Sequence, residues 1–353
     1  MTSLGTFDYI IIGGGTAGCV LANRLSTDPD IRVLLLEAGG KDNYIWVKSP
    51  VGYLYCMGNP RTDWGFSTEA EQGLNGRSLN YPRGRILGGC SAINGMIYMR
   101  GQARDYDQWR QFGNIGWGWD DILPYFKKSE DYFSGADSMH GAGGEWRVEE
   151  QRLSWDVLEK FRAACMSAGI PSTDDFNRGS NEGVGYFKVH PKKGRRWSAA
   201  TGFLTPIKSR KNLTVMTNAH VHALAMDGKH VTGVTFEAGK TIITAQAAHE
   251  VVLSAGAIGT PHILQLSGIG PGNLLSENGV EVRHQLAGVG GNLQDHLQIR
   301  TIFKTQGVTS LNSFANTLIG KARIALEYAL FRSGPMSMAP SQLGAFVKSD
   351  KAM

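Results

Sequence analysis

The chain has 353 residues, of which 42% are hydrophobic and 19% are charged, so its composition is that of a globular protein and excludes a disordered, collagenous or coiled-coil chain. Its 36 basic and 31 acidic residues give a formal charge of +5 and are mixed along the chain, which does not indicate a nucleic-acid-binding surface. Glycine is the outlier, with 46 residues and no G-X-Y period. The length predicts two domains, and the glycines should mark particular backbone positions.

The first elements in the chain predict a β-α-β unit. Residues 7–12 and 31–36 are short, continuously apolar runs, and residues 16–26 between them have helical spacing. Continuous apolarity is typical of parallel strands buried on both faces, so we expect two such strands. The chain then becomes irregular and aromatic-rich from residue 41 to residue 83.

A helix is predicted at residues 154–169, with Ser154 as its N-cap. Its apolar side chains at helical spacing are Val157, Leu158, Phe161 and Cys165. We therefore expect the Cys165 thiol to be buried. Short strands follow from residue 212 to residue 254, with Asp227-Gly228 as the turn of a hairpin.

The remaining elements are two helices and a strand. Thr260-Pro261 is typical of the N-cap and first residue of a helix, which would extend through residue 266. Residues 312–331 predict a longer helix, and residues 343–348 predict a strand. The apolar side of the longer helix would carry Phe314, Leu318, Ile319, Ala322, Ala325 and Ala329.

The cysteine spacing and the hydropathy of the sequence indicate the cellular compartment in which the protein is expected. The four cysteines, at positions 19, 56, 90 and 165, form no CxxC pair, which favours a reducing compartment and predicts neither a zinc site nor a disulfide framework. No apolar run approaches the length of a membrane span, and residues 7–12 are too short for a signal peptide. We expect a cytoplasmic protein, with peripheral contact to the inner membrane left open.

Residues 13–18 (GGGTAG) match G-x-G-x-x-G between the first predicted strand and helix. In this position the glycines permit a tight turn, close approach of a pyrophosphate and close packing of helix on strand, and the helix N-terminus offers N–H groups to phosphate. Glu37 follows 19 residues after Gly18, where its carboxylate can accept hydrogen bonds from both ribose hydroxyls. The alternative is a surface glutamate before a turn. The pattern predicts a dinucleotide site, argues against NADP and does not distinguish NAD from FAD.

A second cluster, residues 82–96 (PRGRILGGCSAINGM), places glycines and small residues beside two arginines, as suits either close contact with an anionic cofactor or a flexible loop. With this block the chain resembles the glucose–methanol–choline (GMC) oxidoreductases, FAD enzymes that act on alcohols. The resemblance spans essentially the whole chain. Its other blocks are YIIIGGG at 9–15, DYDQW at 105–109, SAGAIGTP at 254–261, LSGIG at 266–270 and GGNLQDH at 290–296.

The resemblance implies a set of FAD contacts. On the pyrophosphate and ribose side they are Gly13, Gly14, Gly15, Thr16, Ala17, Gly18, Glu37 and Ala38. Along the isoalloxazine they are Gly88, Gly89, Asn94 and Gly95, with Arg83 and Met96 in the same block. The remaining contacts are Val221 and Ala255 on the adenosine side, Trp64, and Asn292, Asp295 and His296 near the flavin and pyrophosphate.

Four aromatic or imidazole side chains have simpler interpretations. Trp64 could equally be a core aromatic residue. His296 invites the role of a catalytic base, but a single histidine in such a context is more often structural, and the family places its base elsewhere. His220 and His222 share one face of a predicted strand, yet no third ligand is near in sequence, so no metal site is predicted.

Two departures from the family pattern matter. The position at which some members tether FAD through a histidine is Ile93, so the resemblance implies noncovalent FAD. The family's active-site histidine and its histidine or asparagine partner lie in a C-terminal part with no counterpart before Met353. We therefore expect the 353-residue chain to be inactive or nearly so.

The stretches at 75–78, 81–84 and 196–199 look most like the branch of choline dehydrogenases and long-chain or polyethylene-glycol alcohol dehydrogenases. The resemblance implies hydride transfer from a small alcohol to flavin N5, with electrons passed to a quinone or another acceptor. An oxidase that uses O₂ comes second. A fatty-acid photodecarboxylase and a truncated, non-catalytic flavin-binding protein remain as alternatives.

The predicted fold is α/β, or α+β overall. A Rossmann-like FAD-binding domain would comprise residues 2–150 and 212–299, and a partial substrate-binding domain on an antiparallel sheet would comprise residues 151–211 and 300–353.

Overall fold

The computed structural model describes residues 2–349. Its helices are α1 (Thr16–Leu25), α2 (Ile45–Lys48), α3 (Tyr53–Cys56), α4 (Ala103–Gln111), α5 (Trp119–Ser129), α6 (Asp156–Ser167), α7 (Gly256–Leu266), α8 (Gly272–Glu277), α9 (Leu311–Ala315) and α10 (Leu318–Phe331). Its longer strands are β1 (Thr2–Ile12), β2 (Val33–Glu37), β10 (Leu213–Thr217), β11 (Ala219–Asp227), β12 (His230–Ala238) and β13 (Thr241–Leu253). The short ones are β3 (Phe66–Ser67), β4 (Asn80–Tyr81), β5 (Glu130–Tyr132), β6 (Trp146–Val148), β7 (Gly183–Tyr186), β8 (Pro191–Lys192), β9 (Arg195–Arg196), β14 (Ile269–Gly270), β15 (His284–Gln285) and β16 (Leu343–Phe346). No described helix has the length and apolar character that a membrane span requires.

A six-stranded sheet, in the order β10-β2-β1-β13-β12-β11, carries the predicted β-α-β unit. Strands β10, β2, β1 and β13 are parallel, whereas β13, β12 and β11 pair antiparallel. Every residue of β2 is buried, as its continuous apolar run predicts, and β11 and β12 form the expected hairpin. The prediction of a mixed α/β fold with a parallel core is confirmed.

The chain forms two compact units. The first comprises the chain up to Tyr44, Tyr55–Ile93 and Ser198–Thr301, and contains the six-stranded sheet. The second comprises Ile45–Leu54, Asn94–Trp197 and the chain from Ile302 onward. In its described part the antiparallel pairs are β7 with β16 and β8 with β9, and β5 pairs with β6 in parallel.

These units differ from the predicted domains in three longer segments and at residues 300–301, which lie in the first unit. Residues 45–54 and 94–150 lie in the second unit, and residues 198–211 lie in the first. Long-range hydrogen bonds explain two of the differences: the Val189 N–H donates to Glu149 O at 2.9 Å inside the second unit, and the Asn23 side chain donates to Phe203 O at 2.8 Å inside the first. Neither pairing has a local sequence signal.

Helix α6 differs from its prediction at its start and along its apolar side. It begins at Asp156 with Trp155 as its N-cap, so Ser154 does not cap it. None of its residues is buried, Phe161 is 54% exposed, and Cys165 is half-buried. The helix contacts the short strands β7 and β16, which are too small to cover its apolar side.

Helix α7 begins five residues earlier than predicted, at Gly256, so Thr260 and Pro261 lie inside it. The cause is the end of β13. The Ser254 hydroxyl hydrogen-bonds there to the carbonyls of residues 12 and 13, and Gly256, at a φ of 81°, turns the chain directly into the helix.

The helix predicted at residues 312–331 is divided into α9 and α10. Thr317 separates the two by capping α10, since its hydroxyl accepts the Gly320 N–H at 2.9 Å. The predicted apolar side is exposed at Leu318, Ile319, Ala322, Ala325 and Ala329, and the side chain of Phe314 lies outside the described part of the chain. The buried residues of α10 are Gly320, Ile324 and Tyr328, the last of which donates to Gly194 O at 3.0 Å.

A buried ionic cluster joins separate segments of the second unit. The ring of His140 is fully buried, with Nδ1 3.1 Å from Glu130 Oε1 and Nε2 2.6 Å from Asp175 Oδ2. Arg100 Nη2 lies 2.9 Å from the same Glu130 oxygen. Burial acts to lower the pKa of His140, but the hydrogen bonds to Asp175 and Glu130 outweigh it and raise the pKa above its ordinary value of 6.5. The geometry therefore corresponds to a buried imidazolium between two carboxylates.

This assignment predicts a pH-dependent stability. A base whose pKa is raised on folding contributes stability that is fully present below about pH 6.5 and lost as the pH rises through the folded pKa. We expect the free energy of unfolding of the wild type, minus that of His140→Gln, to be smaller at about pH 9 than at about pH 6 in urea titrations. Burial lowers the pKa of His190 to about 3, an effect of opposite sign that cancels in this difference. An identical difference at both pH values would contradict the imidazolium.

Candidate cofactor-binding site

A groove of about 420 Å³ lies at the carboxyl ends of β1, β2 and β13, all in the first unit. Ligands of open α/β sheets bind at this edge, because the loops that leave the strands converge there. The lining residues come from six segments: Ile12–Ala17 without Gly14, Leu36–Ala38, Trp64 and Phe66, Arg83 to Cys90 in part, Ala219–His222, and Ser254 to Leu266 in part.

The turn after β1 is shaped by glycine. Gly13 has a φ of 101°, and its N–H donates to Leu36 O at 2.8 Å. A Cβ at Gly18 would overlap the carbonyl oxygen of Gly13, so a glycine is required for helix α1 to approach the end of the strand. Ser254 closes the turn, since its hydroxyl hydrogen-bonds to the carbonyls of Ile12 and Gly13 at 3.0 Å each.

The N-terminus of α1 is open to a ligand. Its N-cap is Gly15, which supplies no capping side chain, and its first turn has no acidic residue. The closest atom to a Cβ placed on Gly15 would be Ser254 O at 4.0 Å, so packing within the protein does not require a glycine here. The missing side chain instead leaves room for a ligand to reach N–H groups that the helix leaves unpaired. The groove therefore fits a pyrophosphate at this point.

The second glycine cluster packs directly against the first. The Gly88 N–H donates to Gly14 O at 2.7 Å, and a Cβ on Gly89 would stand 2.8 Å from the Cα of Gly15. Both Gly88 and Gly89 have positive φ angles, of 89° and 52°. The two glycine motifs thus form one continuous wall of backbone, although the contacting residues Gly14 and Gly88 are 74 positions apart.

Glu37 lies at the end of β2 with its carboxylate in the groove. Its Oε2 accepts the Gly14 N–H at 2.8 Å and its Oε1 accepts the Gly39 N–H at 2.7 Å. Burial raises the pKa of Glu37 to about 7, although these two N–H groups and the charge of Arg85 act to lower it. Each carboxylate oxygen accepts one backbone hydrogen bond and retains acceptor capacity for a hydroxyl of a ligand.

The opposite wall is aromatic and contains histidines that sequence reasoning had considered only as metal ligands. His220 and His222 are stacked with ring centroids 5.5 Å apart, and Trp64 meets His220 edge-on at 5.6 Å. Burial lowers the pKa of His220, and His222 and Arg85 lower it further, so the ring is neutral near pH 7. Among the described residues, no group of three or more His, Cys, Asp or Glu could hold a metal ion. His262 and Phe66 also line the groove, and no sequence motif had singled them out.

Comparison with known proteins agrees with this geometry. The sequence model of the GMC oxidoreductases matches residues 7–298 of the chain. The chain belongs to the GMC oxidoreductase family. The oxygen-dependent choline dehydrogenase of Photobacterium profundum is 40% identical over 347 residues, which are 98% of this chain and 61% of that protein.

Solved GMC-like structures share the fold. An FAD-dependent oxidoreductase from Chaetomium thermophilum matches with a TM-score of 0.85 and 30% identity, over 96% of this chain and 61% of that one. A formate oxidase from Aspergillus oryzae matches with a TM-score of 0.85 and 28% identity, over 99% of this chain and 63% of that one. The chain therefore spans about three fifths of the length of its relatives.

Most of the contacts that the GMC resemblance implies come together in the groove. Its lining contains Gly13, Gly15, Thr16, Ala17, Glu37, Ala38, Trp64, Arg83, Gly89, Val221 and Ala255. Gly14, Gly18 and Gly88 lie immediately behind this surface, where they shape the loops. The groove thus unites the pyrophosphate-side and adenosine-side predictions in one site.

The GMC block at residues 290–296 lies at the margin of this site. Asp295 Oδ2 is 4.0 Å from Nη2 of the groove-lining Arg83. The His296 N–H, together with the Tyr81 side chain and Arg83, lowers the pKa of Asp295. Asn292, Asp295 and His296 are exposed and do not line the groove, so their contact with a cofactor stays a prediction.

Three residues of the second GMC block belong to the second unit, and packing within that unit accounts for them. Asn94 Oδ1 accepts a hydrogen bond from Arg196 Nη1 at 2.9 Å, and a Cβ on Gly95 would lie 2.6 Å from Pro340 Cγ. Met96 is buried with Val189 and a neighbouring alanine. Their predicted place along the isoalloxazine stays a prediction.

Gly15 and Gly18 of the first GMC motif should respond differently to substitution by alanine. Gly18→Ala forces a Cβ into the carbonyl of Gly13 and should lower the free energy of unfolding by about 2 kcal/mol or more. Gly15→Ala meets open space at an ordinary φ of −74° and should leave thermal unfolding unchanged or slightly raise the Tm. Equal destabilisation by both substitutions in calorimetry would contradict the proposed division of roles.

Proposed function

We propose that the chain binds FAD noncovalently and belongs to an enzyme that oxidises a small alcohol, of the choline or aliphatic class, to an aldehyde. The observation that carries this proposal is the combination, in one groove, of the uncapped α1 N-terminus, the space at Gly15 and the Glu37 carboxylate. A pyrophosphate requires an accessible helix N-terminus, and an adenosine ribose requires a carboxylate beside it. The names of the choline dehydrogenase relatives support the substrate class.

The chain's own residues would bind and orient the cofactor. The first-turn N–H groups of α1 would donate to the pyrophosphate, and Glu37 would accept from the ribose hydroxyls. Trp64 and the histidines of β11 form an apolar and aromatic wall that suits the adenine. When bound, FAD supplies hydride acceptance at the flavin. Ile93 carries no nucleophile and is 2% exposed, which supports noncovalent binding.

Substrate deprotonation needs a base close to the reacting hydroxyl. We assign this role to no described residue. His296, the histidine that the GMC block at residues 290–296 offers as a base, is exposed and hydrogen-bonds only through its backbone N–H to Asp295. The relatives are longer than this chain, and we propose that the base belongs to the part of their length that is not matched here.

The electron acceptor separates two candidate functions. We give first place to a dehydrogenase that passes electrons to a quinone or another acceptor. A second candidate, oxidation by O₂, is favoured by the names of the relatives, which are oxygen-dependent choline dehydrogenases, and by the similarity to formate oxidase. Reoxidation of the photoreduced flavoprotein in air, compared with reoxidation by a soluble quinone under nitrogen, discriminates between them.

FAD binding and its pH dependence test the proposed site. Because the ionised Glu37 is the better acceptor and its pKa is about 7, FAD affinity measured by flavin fluorescence should rise from pH 6 to pH 8 and then level off. Glu37→Gln should weaken binding about 10- to 100-fold and remove most of that pH dependence. Gly15→Ala should weaken binding without loss of stability.

Two variants in the same unit serve as controls for that titration. Glu71→Gln changes an exposed carboxylate outside the groove, and Gly73→Ala places a Cβ where nothing lies within 4 Å. Both should bind FAD as the wild type does. If Glu37→Gln retains wild-type affinity at every pH, the assignment of the ribose site is wrong.

Loading with FAD should not by itself confer turnover. With the flavin bound, as verified by its absorbance, the 353-residue chain should show no steady oxidation of choline or a primary alcohol with an artificial electron acceptor, because no base is assigned. Sustained turnover under these conditions would show that a described residue supplies the base.

A further inference from the structure

A second cavity of the first unit, of about 440 Å³, adjoins the turn that follows β2. It shares one lining residue, Ala38, with the cofactor groove. Its charged side chains are Lys41, Arg61 and Arg85, and Asn43 and Asn218 add side-chain amides. None of the described residues that line it carries a carboxylate. The cavity is therefore strongly cationic, although the chain as a whole is only weakly basic.

The backbone around this cavity is held in place by hydrogen bonds. The Asn218 N–H donates to Gly39 O at 2.8 Å, the Leu87 N–H donates to Gly40 O at 3.0 Å, and the Arg85 N–H donates to Thr62 O at 2.8 Å. A Cβ on Gly39 would overlap the carbonyl of Arg85, so the two segments are in closest contact. The cations thus project from a preformed frame, which lowers the entropic cost of binding a ligand between them.

None of the three cationic side chains has a described carboxylate within ion-pair distance. In the described part of the chain, Lys41, Arg61 and Arg85 form no ion pair within 4.0 Å. The Arg61 guanidinium stacks on Tyr44 at 4.7 Å and donates to Asn43 at 3.2 Å, and the Arg85 guanidinium lies 4.9 Å from the Trp64 ring.

Stacking orients a guanidinium and leaves donors along its edge, the geometry that matches phosphate oxygens. Lys41 and Arg61 have no carboxylate partner in the described chain, whereas the charge of Arg85 also acts on Glu37 in the neighbouring groove. A multivalent anion in the cavity would relieve the mutual repulsion of the three cations. A volume of about 440 Å³ is within the range of small-molecule sites and exceeds the needs of a single chloride.

We propose that this cavity is a second ligand site, which binds a multivalent phosphate-class anion such as a pyrophosphate or a phosphate monoester. Lys41 and Arg61 contribute exposed charges, and Arg85 contributes a half-buried one. The site is separate from the pyrophosphate position at α1 and does not depend on the proposed redox function. Arg85 adjoins both, because it also acts on the pKa of Glu37 in the cofactor groove.

Isothermal titration of sodium pyrophosphate into the protein, with and without saturating FAD and at constant ionic strength, tests the proposal. We expect saturable binding in both cases, and Lys41→Gln/Arg61→Gln should weaken it about tenfold or more. A matched variant, Lys229→Gln/Lys240→Gln, removes the same charge from exposed positions near the hairpin turns of the large sheet and should bind as the wild type does. AMP in place of pyrophosphate distinguishes a phosphate monoester from the inorganic anion as the preferred ligand.

Three results would overturn the proposal. Absence of saturable heat with both anions would show that the cavity binds neither. Equally weakened pyrophosphate binding in the two double variants would show that the anion responds to the net charge of the protein and not to this cavity. Loss of pyrophosphate binding on addition of FAD would place the anion in the cofactor groove.

The variant Lys41→Gln/Arg61→Gln needs a control for its fold. Unchanged FAD affinity and unchanged thermal unfolding of this variant would show that the backbone around the cavity is intact.

Discussion

One buried carboxylate joins the two turns on which the cofactor groove is built. Glu37 accepts an N–H from Gly14 in the turn before α1 and another from Gly39 in the turn after β2. Burying a carboxylate costs free energy, and the raised pKa of about 7 shows that the two hydrogen bonds offset only part of that cost. A ligand that donates to the same oxygens, as the proposed cofactor does, would offset the remaining cost. The stability of the groove and its affinity for that cofactor would then depend on the same side chain.

The parts of the fold that were predictable are those whose determinants are local. Strand β2 needs only its run of apolar residues to be recognised as buried on both faces, and the Asp227-Gly228 turn needs only a residue pair that tolerates the required backbone. The glycine motif at residues 13–18 is recognisable because each glycine answers a different steric demand of one turn. Glu37 could be placed by its distance along the chain from that motif.

The parts that were not predictable depend on which surfaces meet. The apolar sides of α6 and α10 have clear helical spacing, yet neither is covered within the described chain, because spacing indicates a face and not its partner. The start of α7 is decided by Ser254 bonding to the β1 turn, a contact between residues more than 240 positions apart. The aromatic wall of the groove arises from β11, whose register in the sheet no local pattern specifies.

Contacts between residues far apart in the chain also determine when the groove can form during folding. Strand β1 is synthesised long before its neighbour β13, which ends at Leu253, and the hydroxyl that secures the Gly13 turn belongs to the next residue. During translation the β13 side of β1 and its glycine turn remain without these partners until more than two hundred further residues have left the ribosome. Pairing across such a separation carries a large loop-closure entropy and makes folding slow. We therefore expect the cofactor groove to form late in folding, although its glycine motif comes early in the chain.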